Sequence, residues 1–106
     1  MKRLALVLIL LVTMGSLAQS EVINCFAPVT ETHDLYLWLV KQTDSSRLAA
    51  IKEGVAKGDI VVLPPGTYCH VVSERKTRSS MVLVRVLAKG LKEAMWTDKI
   101  NLTEDK

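Results

Sequence analysis

The spacing of apolar residues predicts a helix that begins near Thr32. Leu35, Trp38 and Leu39 recur three and four residues apart, as they would on one face of a helix. The same stretch also alternates as a strand would, so the period alone leaves both interpretations open. Thr32 and Asp34 suit the first turn of a helix, which favours the helical one.

A second stretch of helical period follows a polar segment. Residues 44–46, Asp-Ser-Ser, have the composition of a helix N-cap. Gly58 is a natural stop, and Gly54 weakens the helix by about 1 kcal/mol relative to alanine. The apolar positions that give the period are Leu48, Ile51 and Val55. We predict a helix with a narrow apolar face.

After Gly58 the pattern changes to that of β-strands. Short runs rich in β-branched residues, or with alternating polarity, predict four strands and a short fifth one. These runs are residues 60–63, 67–74, 81–87, 93–97 and 100–102. The residues between them, notably 64–66 and 75–80, have turn composition, whereas residues 21–29 show no clear period. Several short antiparallel strands joined by turns indicate a small barrel or sandwich.

Residues 1–20 have the pattern of a cleavable signal peptide. Two basic residues precede an unbroken apolar run over 4–12, and small residues follow at Ala18 and Ser20. The apolar run is shorter than the roughly 20 residues that span a bilayer. We therefore expect a periplasmic or secreted protein, cleaved after Ala18 or Ser20, with no stable membrane insertion after cleavage.

The signal peptide changes the interpretation of the charge. The whole chain carries a net +3, but without Lys2 and Arg3 only 12 of its 14 basic residues remain against 11 acidic ones, a net +1. The one basic cluster, residues 75–78, lies among Ser and Thr and indicates a solvated hairpin tip rather than a phosphate contact. Nucleic-acid binding needs a basic face with aromatic or polar readers. We expect no nucleic-acid partner.

Two cysteines follow the signal peptide, Cys25 and Cys69. In an exported chain two cysteines most simply pair with each other, so we predict a disulfide. Closing a loop of about 45 residues would contribute roughly 4 kcal/mol in the loop-entropy model. A haem attachment motif before His70 fails because position 66 is Gly, and a zinc site needs more Cys and His than the chain supplies. We expect no metal and no cofactor.

Five short motifs follow one another in the order seen in bacterial SH3-like barrel domains. They are Gly-Asp-Ile-Val-Val-Leu-Pro-Pro-Gly-Thr at 58–67, Val-Val at 71–72, Val-Leu-Val-Arg-Val at 82–86, Gly90, and Met-Trp-Thr at 95–97. The chain resembles this family over roughly residues 58–102, although the family's Gly-Trp is here Met95-Trp96. The resemblance implies a mainly β, α+β fold: an SH3-like antiparallel barrel over 58–103, preceded by an extension over 21–57 with one or two short helices.

The resemblance also implies a binding module rather than an enzyme, since small SH3-like barrels are binding modules or structural folds. Its exported branch suggests a cell-wall peptide or another envelope protein as the partner. The chain holds none of the common catalytic motifs, such as H-E-x-x-H, G-x-S-x-G or a P-loop. Two alternatives stay open: a secreted protein inhibitor of a hydrolase, and an enzyme of unrecognised type.

Four side chains are candidate ligand contacts: Tyr68, His70, Arg85 and Trp96. Tyr68 and His70 share one face of a strand if the alternation holds. Arg85 interrupts an apolar run, so its side chain is expected to point outward. Trp96 has a second interpretation as a cap on the barrel core. His33 is expected to be solvent-exposed at the start of the first helix.

Overall fold

A computed structural model describes residues 20–104, so all of the predicted signal peptide except Ser20 lies outside the described residues. Seven strands form one antiparallel sheet that curls into a half-barrel, with two helices packed on it. The prediction of a mainly β fold is confirmed at this level. The strands are β1 (Ser20–Ile23), β2 (Ala27–Thr30), β3 (Ile60–Leu63), β4 (Tyr68–Lys76), β5 (Val82–Ala88), β6 (Met95–Asp98) and β7 (Leu102–Glu104). The helices are α1 (His33–Val40) and α2 (Asp44–Lys57), and a 3₁₀ turn spans Lys99–Asn101.

The first two strands lie inside the sheet rather than beside it. The strand order is β3-β2-β6-β5-β4-β1-β7, so β2 joins β3 to β6 and β1 joins β4 to β7. Residues 21–29, which show no clear period in the sequence, therefore form two strands of the sheet. The turn at 24–26 breaks them into two strands of four residues, too short to show a period. The sheet thus takes strands from both the predicted extension and the predicted barrel segment.

The concave face of the sheet holds the main core. On β5 the side chains of Val84 and Val86 are fully buried, whereas Arg85 and Leu87 are exposed on the opposite face. From Val84 to Ala88 this alternation is the period-2 pattern of a sheet with one face buried, whereas the preceding Leu83 is also fully buried. The buried cluster contains Ile23, Ala27, Val29, Leu63, Cys69, Val84, Val86, Ala88, Met95 and Leu102.

Two threonine caps and one arginine fix the helices. Thr32 Oγ1 accepts a hydrogen bond from the Leu35 amide at 3.1 Å, as the sequence suggested. The cap of α2 is Thr43, one residue before the predicted 44–46 segment, and Gly58 ends the helix with φ +88°. The Arg47 guanidinium on α2 donates to three carbonyl oxygens at the end of α1. These acceptors are Leu39 O at 3.3 Å, Val40 O at 3.2 Å and Gln42 O at 2.8 Å.

Helix α2 does not bury the apolar residues whose spacing indicates a helix in the sequence. Leu48 and Val55 are 57% and 48% exposed. The helix instead meets the sheet through Gly54, its one buried residue, which lies against the buried side chain of Ile60. A glycine lets the helix backbone come close to the strand. Within residues 20–104, no helix is both long and apolar enough to cross a membrane.

The turns follow their sequence signals closely, but two element ends differ. The Thr67 amide and hydroxyl both donate to Pro64 O, and Gly66 takes a left-handed φ of +91°. Strand β4 runs on to Lys76, so the predicted 75–80 turn is shorter than expected. The predicted 100–102 strand is mostly the 3₁₀ turn, because the Asp98 side chain caps it by accepting from the Ile100 amide at 3.1 Å.

Candidate functional site

The sheet register brings all four predicted contact residues onto one face. His70 on β4 lies opposite Leu87 on β5, and Arg85 on β5 lies opposite Trp96 on β6. Directly opposed residues project from the same face of a sheet. Tyr68 and His70 lie two positions apart on β4, on either side of the buried Cys69, and are both exposed, so the prediction that they share a face is confirmed. Arg85 is also exposed, as expected.

Exposed apolar side chains lie beside the polar candidates in this region. Tyr68 is 64% exposed, and Val72 and Leu87 are 52% and 44% exposed. We call the surface formed by Tyr68, His70, Val72, Arg85 and Leu87 the outer-face patch, with Trp96 at its margin. The helices make their main contacts with β2, β3 and β6, on the β3 side of the sheet, and leave these side chains exposed.

A β-bulge sets the geometry of the outer-face patch. Val71 pairs with Val86 and Ser73 pairs with Arg85, so Val72 is an extra residue with no partner on β5. The bulge moves Ser73 onto the same face as Arg85, where simple alternation from Val71 would place it on the core side. Alternation from Tyr68 and His70 places Val72 on this face, as the structure does, but it has no signal for the extra residue and so could not place Ser73.

Trp96 and His33 lie elsewhere than expected. Trp96 is half-buried on the outer face and is absent from the core cluster, so it does not cap that core. Its ring meets the His33 imidazole edge to face, with centroids 5.1 Å apart and planes at 84°. The expectation that His33 is exposed is wrong: its side chain is only 13% exposed, because α1 packs against β6. His33 Nε2 is buried without a hydrogen-bond partner among residues 20–104.

Both cysteines are free thiols in this structure. Cys69 is buried in the core, and the half-buried Cys25 packs against the same cluster. Cys25 Sγ donates to Asn101 Oδ1 at 3.4 Å. Burial, and then the charge of Glu21, raises the pKa of Cys69 from 9.0 to about 11. A thiol held in its protonated form is a poor nucleophile, so the arrangement does not favour Cys69 as a catalytic group. The disulfide stays a prediction.

The carboxylates of the described chain do not converge on a metal site. Among residues 20–104, no group of three or more His, Cys, Asp and Glu side chains is placed to hold a metal ion. Glu31 and Asp59 form a hydrogen-bonded carboxyl pair, which raises the pKa of Glu31. The outer-face patch offers an aromatic ring, aliphatic side chains, an imidazole and a guanidinium for binding.

Comparison with models of protein families, with curated proteins and with solved structures finds no match for this chain in any of the three.

Proposed function

We propose that the protein is an exported, non-enzymatic binding module that recognises a peptide or protein segment of the cell envelope through the outer-face patch. One observation carries the proposal. Exposed Tyr68, Val72 and Leu87 lie on the same face as His70 and Arg85, on a part of the sheet that the helices leave open.

The chemistry of the patch suits a peptide that carries both an apolar group and a carboxylate. Covering the three apolar side chains removes hydrocarbon surface from water, at about 25 cal/mol for each Å². Arg85 presents a planar guanidinium that pairs with a carboxylate through two hydrogen bonds. Tyr68 adds a large ring with a polar end, a residue type enriched in protein interfaces.

We also propose that the half-barrel is a variant of the SH3-like barrel. The order of the motifs in residues 58–102 supports this assignment, as does the tight Pro64–Thr67 turn between β3 and β4. The variant differs in taking β1 and β2 from the N-terminal segment. The signal-peptide pattern supports export to the periplasm or beyond, and export in turn supports a Cys25–Cys69 disulfide in the oxidised protein.

Co-sedimentation with purified cell-wall sacculi tests the proposed function. We expect the exported protein to pellet with sacculi, and the double variant Tyr68→Ala/Arg85→Ala to stay in solution. Phe26→Ala/Lys52→Ala is the matched control, since it removes one exposed aromatic and one exposed cation away from the patch. The control should pellet like the parent. Circular dichroism checks that both variants are folded.

Two results would overturn the proposal. If parent and double variant pellet equally, the patch does not bind the wall. If the parent ignores sacculi and envelope proteins but forms a 1:1 complex with a purified hydrolase that loses activity, the protein is an inhibitor.

A further inference from the structure

A second surface of the molecule, which shares no residue with the outer-face patch, is strongly basic. Helix α1 and the tip of the β4–β5 hairpin enclose a cleft of about 430 Å³. The helix contributes side chains at a spacing of four residues, which places them on one face. The lining residues are His33 and Leu37 from α1, its C-cap residue Lys41, and Arg75, Lys76, Thr77, Arg78 and Ser79 from the hairpin.

The charge of this cleft is one-sided. Four of the eight lining residues are Lys or Arg, and none is Asp or Glu. None of the ion pairs within residues 20–104 engages these four cations, because the acidic partners lie with His33, Arg47, Lys57 and Lys99. Like charges held in one cleft repel each other, and an anion bound among them would relieve that repulsion.

Polar groups beside the cations add hydrogen-bonding capacity. Thr77 Oγ1 and Ser79 Oγ lie 3.2 Å apart at the hairpin tip, and hydroxyls donate to oxyanions. His33 also lines the cleft, and its buried Nε2 lacks a partner within residues 20–104. The sequence alone favoured a solvated tip for residues 75–78, because it could not show that α1 adds Lys41 and His33 across from them.

We propose that this cleft is a binding site for a phosphate-bearing ligand. Four cations in one cleft match a group with two or more negative charges better than a single carboxylate. Each arginine guanidinium can donate two parallel hydrogen bonds to the oxygens of a phosphate, and each lysine ammonium adds a positive point charge. The ligand can reach the cleft as a free phosphate compound or as the head group of an anionic lipid, and both sources share this chemistry.

Titration with inorganic pyrophosphate tests the site. The exported protein is followed by calorimetry and by NMR of its backbone amides. We expect 1:1 binding, with shift changes concentrated at Lys41 and at residues 75–79. Arg75→Gln/Arg78→Gln should raise the dissociation constant at least about tenfold, because the loss of each charge-assisted hydrogen bond accounts for a large part of a tenfold change in that constant. Lys52→Gln/Lys89→Gln removes the same charge from exposed positions outside the cleft and should bind like the parent.

Equal weakening in both double variants would show that net charge alone attracts pyrophosphate, and the site would be refuted. Absence of saturable binding by the parent would refute it as well. Flotation with vesicles that contain a phosphomonoester lipid then distinguishes the sources: vesicle binding that pyrophosphate displaces supports a head group, and pyrophosphate binding without flotation supports a soluble ligand. Because the patch and the cleft share no residue, sacculus binding can fail while pyrophosphate binding persists, and the reverse.

Discussion

Replacing Gly54 by alanine tests how closely α2 packs against the sheet. A Cβ at this position would clash with Ile60 Cδ1, and it would lie 2.5 Å from Cγ1 and 3.0 Å from Cβ. Alanine favours an isolated helix over glycine by about 1 kcal/mol. Overpacking a filled core site costs about 1–3 kcal/mol, and Ile60 has little room to move because it is β-branched and 2% exposed. We expect Gly54→Ala to lower the free energy of unfolding by about 1 kcal/mol.

A double-mutant cycle separates the clash from the helix preference. Chemical denaturation gives the free energy of unfolding of the parent, Gly54→Ala, Ile60→Ala and the double variant. In the Ile60→Ala background Cδ1 and Cγ1 are gone and only Cβ remains opposite, so Gly54→Ala should stabilise the chain by up to about 1 kcal/mol. If Gly54→Ala stabilises the parent itself, the close approach of α2 to β3 is refuted.

Three further predictions concern the cysteines and the helix pair. Mass spectrometry of the exported protein should find no alkylatable thiol, and Cys69→Ser should markedly lower the melting temperature; two free thiols would refute the disulfide. In reduced protein, burial raises the pKa of Cys69 from 9.0 to about 11, so the folded chain holds a proton that the unfolded chain loses. The free energy of unfolding should therefore be unaffected below pH 9 and fall as the pH rises toward 11, by about 1.4 kcal/mol at pH 10. Denaturant titrations measure this decrease, and Cys69→Ala should lack it. Arg47→Lys loses the fork that donates to Leu39, Val40 and Gln42 carbonyls and should cost about 1 kcal/mol, whereas Arg78→Lys at the exposed tip should cost nothing measurable.

The strands of the second half of the chain could be predicted because each carries its own local signal. Residues 60–63 are a β-branched run that ends at Pro64 and Pro65, and β3 has those bounds. In β5 the polar Arg85 within an apolar run marks the outward face, and the structure places it there. These features depend on near neighbours along the chain, which a single sequence displays.

The features that depend on distant partners could not be predicted. Strands β1 and β2 are defined by pairing with residues far along the chain, such as Val29 with Val61. The apolar stripe of α2 suggested a buried face, but tertiary packing chose Gly54 as the contact. The bulge at Val72 likewise shows only in the register between two strands.

The candidate site likewise has residues that local sequence patterns predict and contacts that depend on distant parts of the chain. Its members Tyr68, His70 and Arg85 could be named from alternation, whereas their meeting with Trp96 needed the order of the strands in the sheet. The basic cleft could not be predicted at all, since its two walls are α1 and a hairpin tip more than 30 residues later in the chain.

The most direct test of the account is an NMR titration of the exported protein with soluble peptide fragments released from cell-wall sacculi. Backbone amide shifts report binding residue by residue. We predict saturable shifts concentrated on β4 and β5 around Tyr68, His70, Arg85 and Leu87, and their loss in Tyr68→Ala/Arg85→Ala. Saturable shifts confined to other surfaces, or no shifts at any concentration, would contradict the claim that the outer-face patch recognises an envelope peptide.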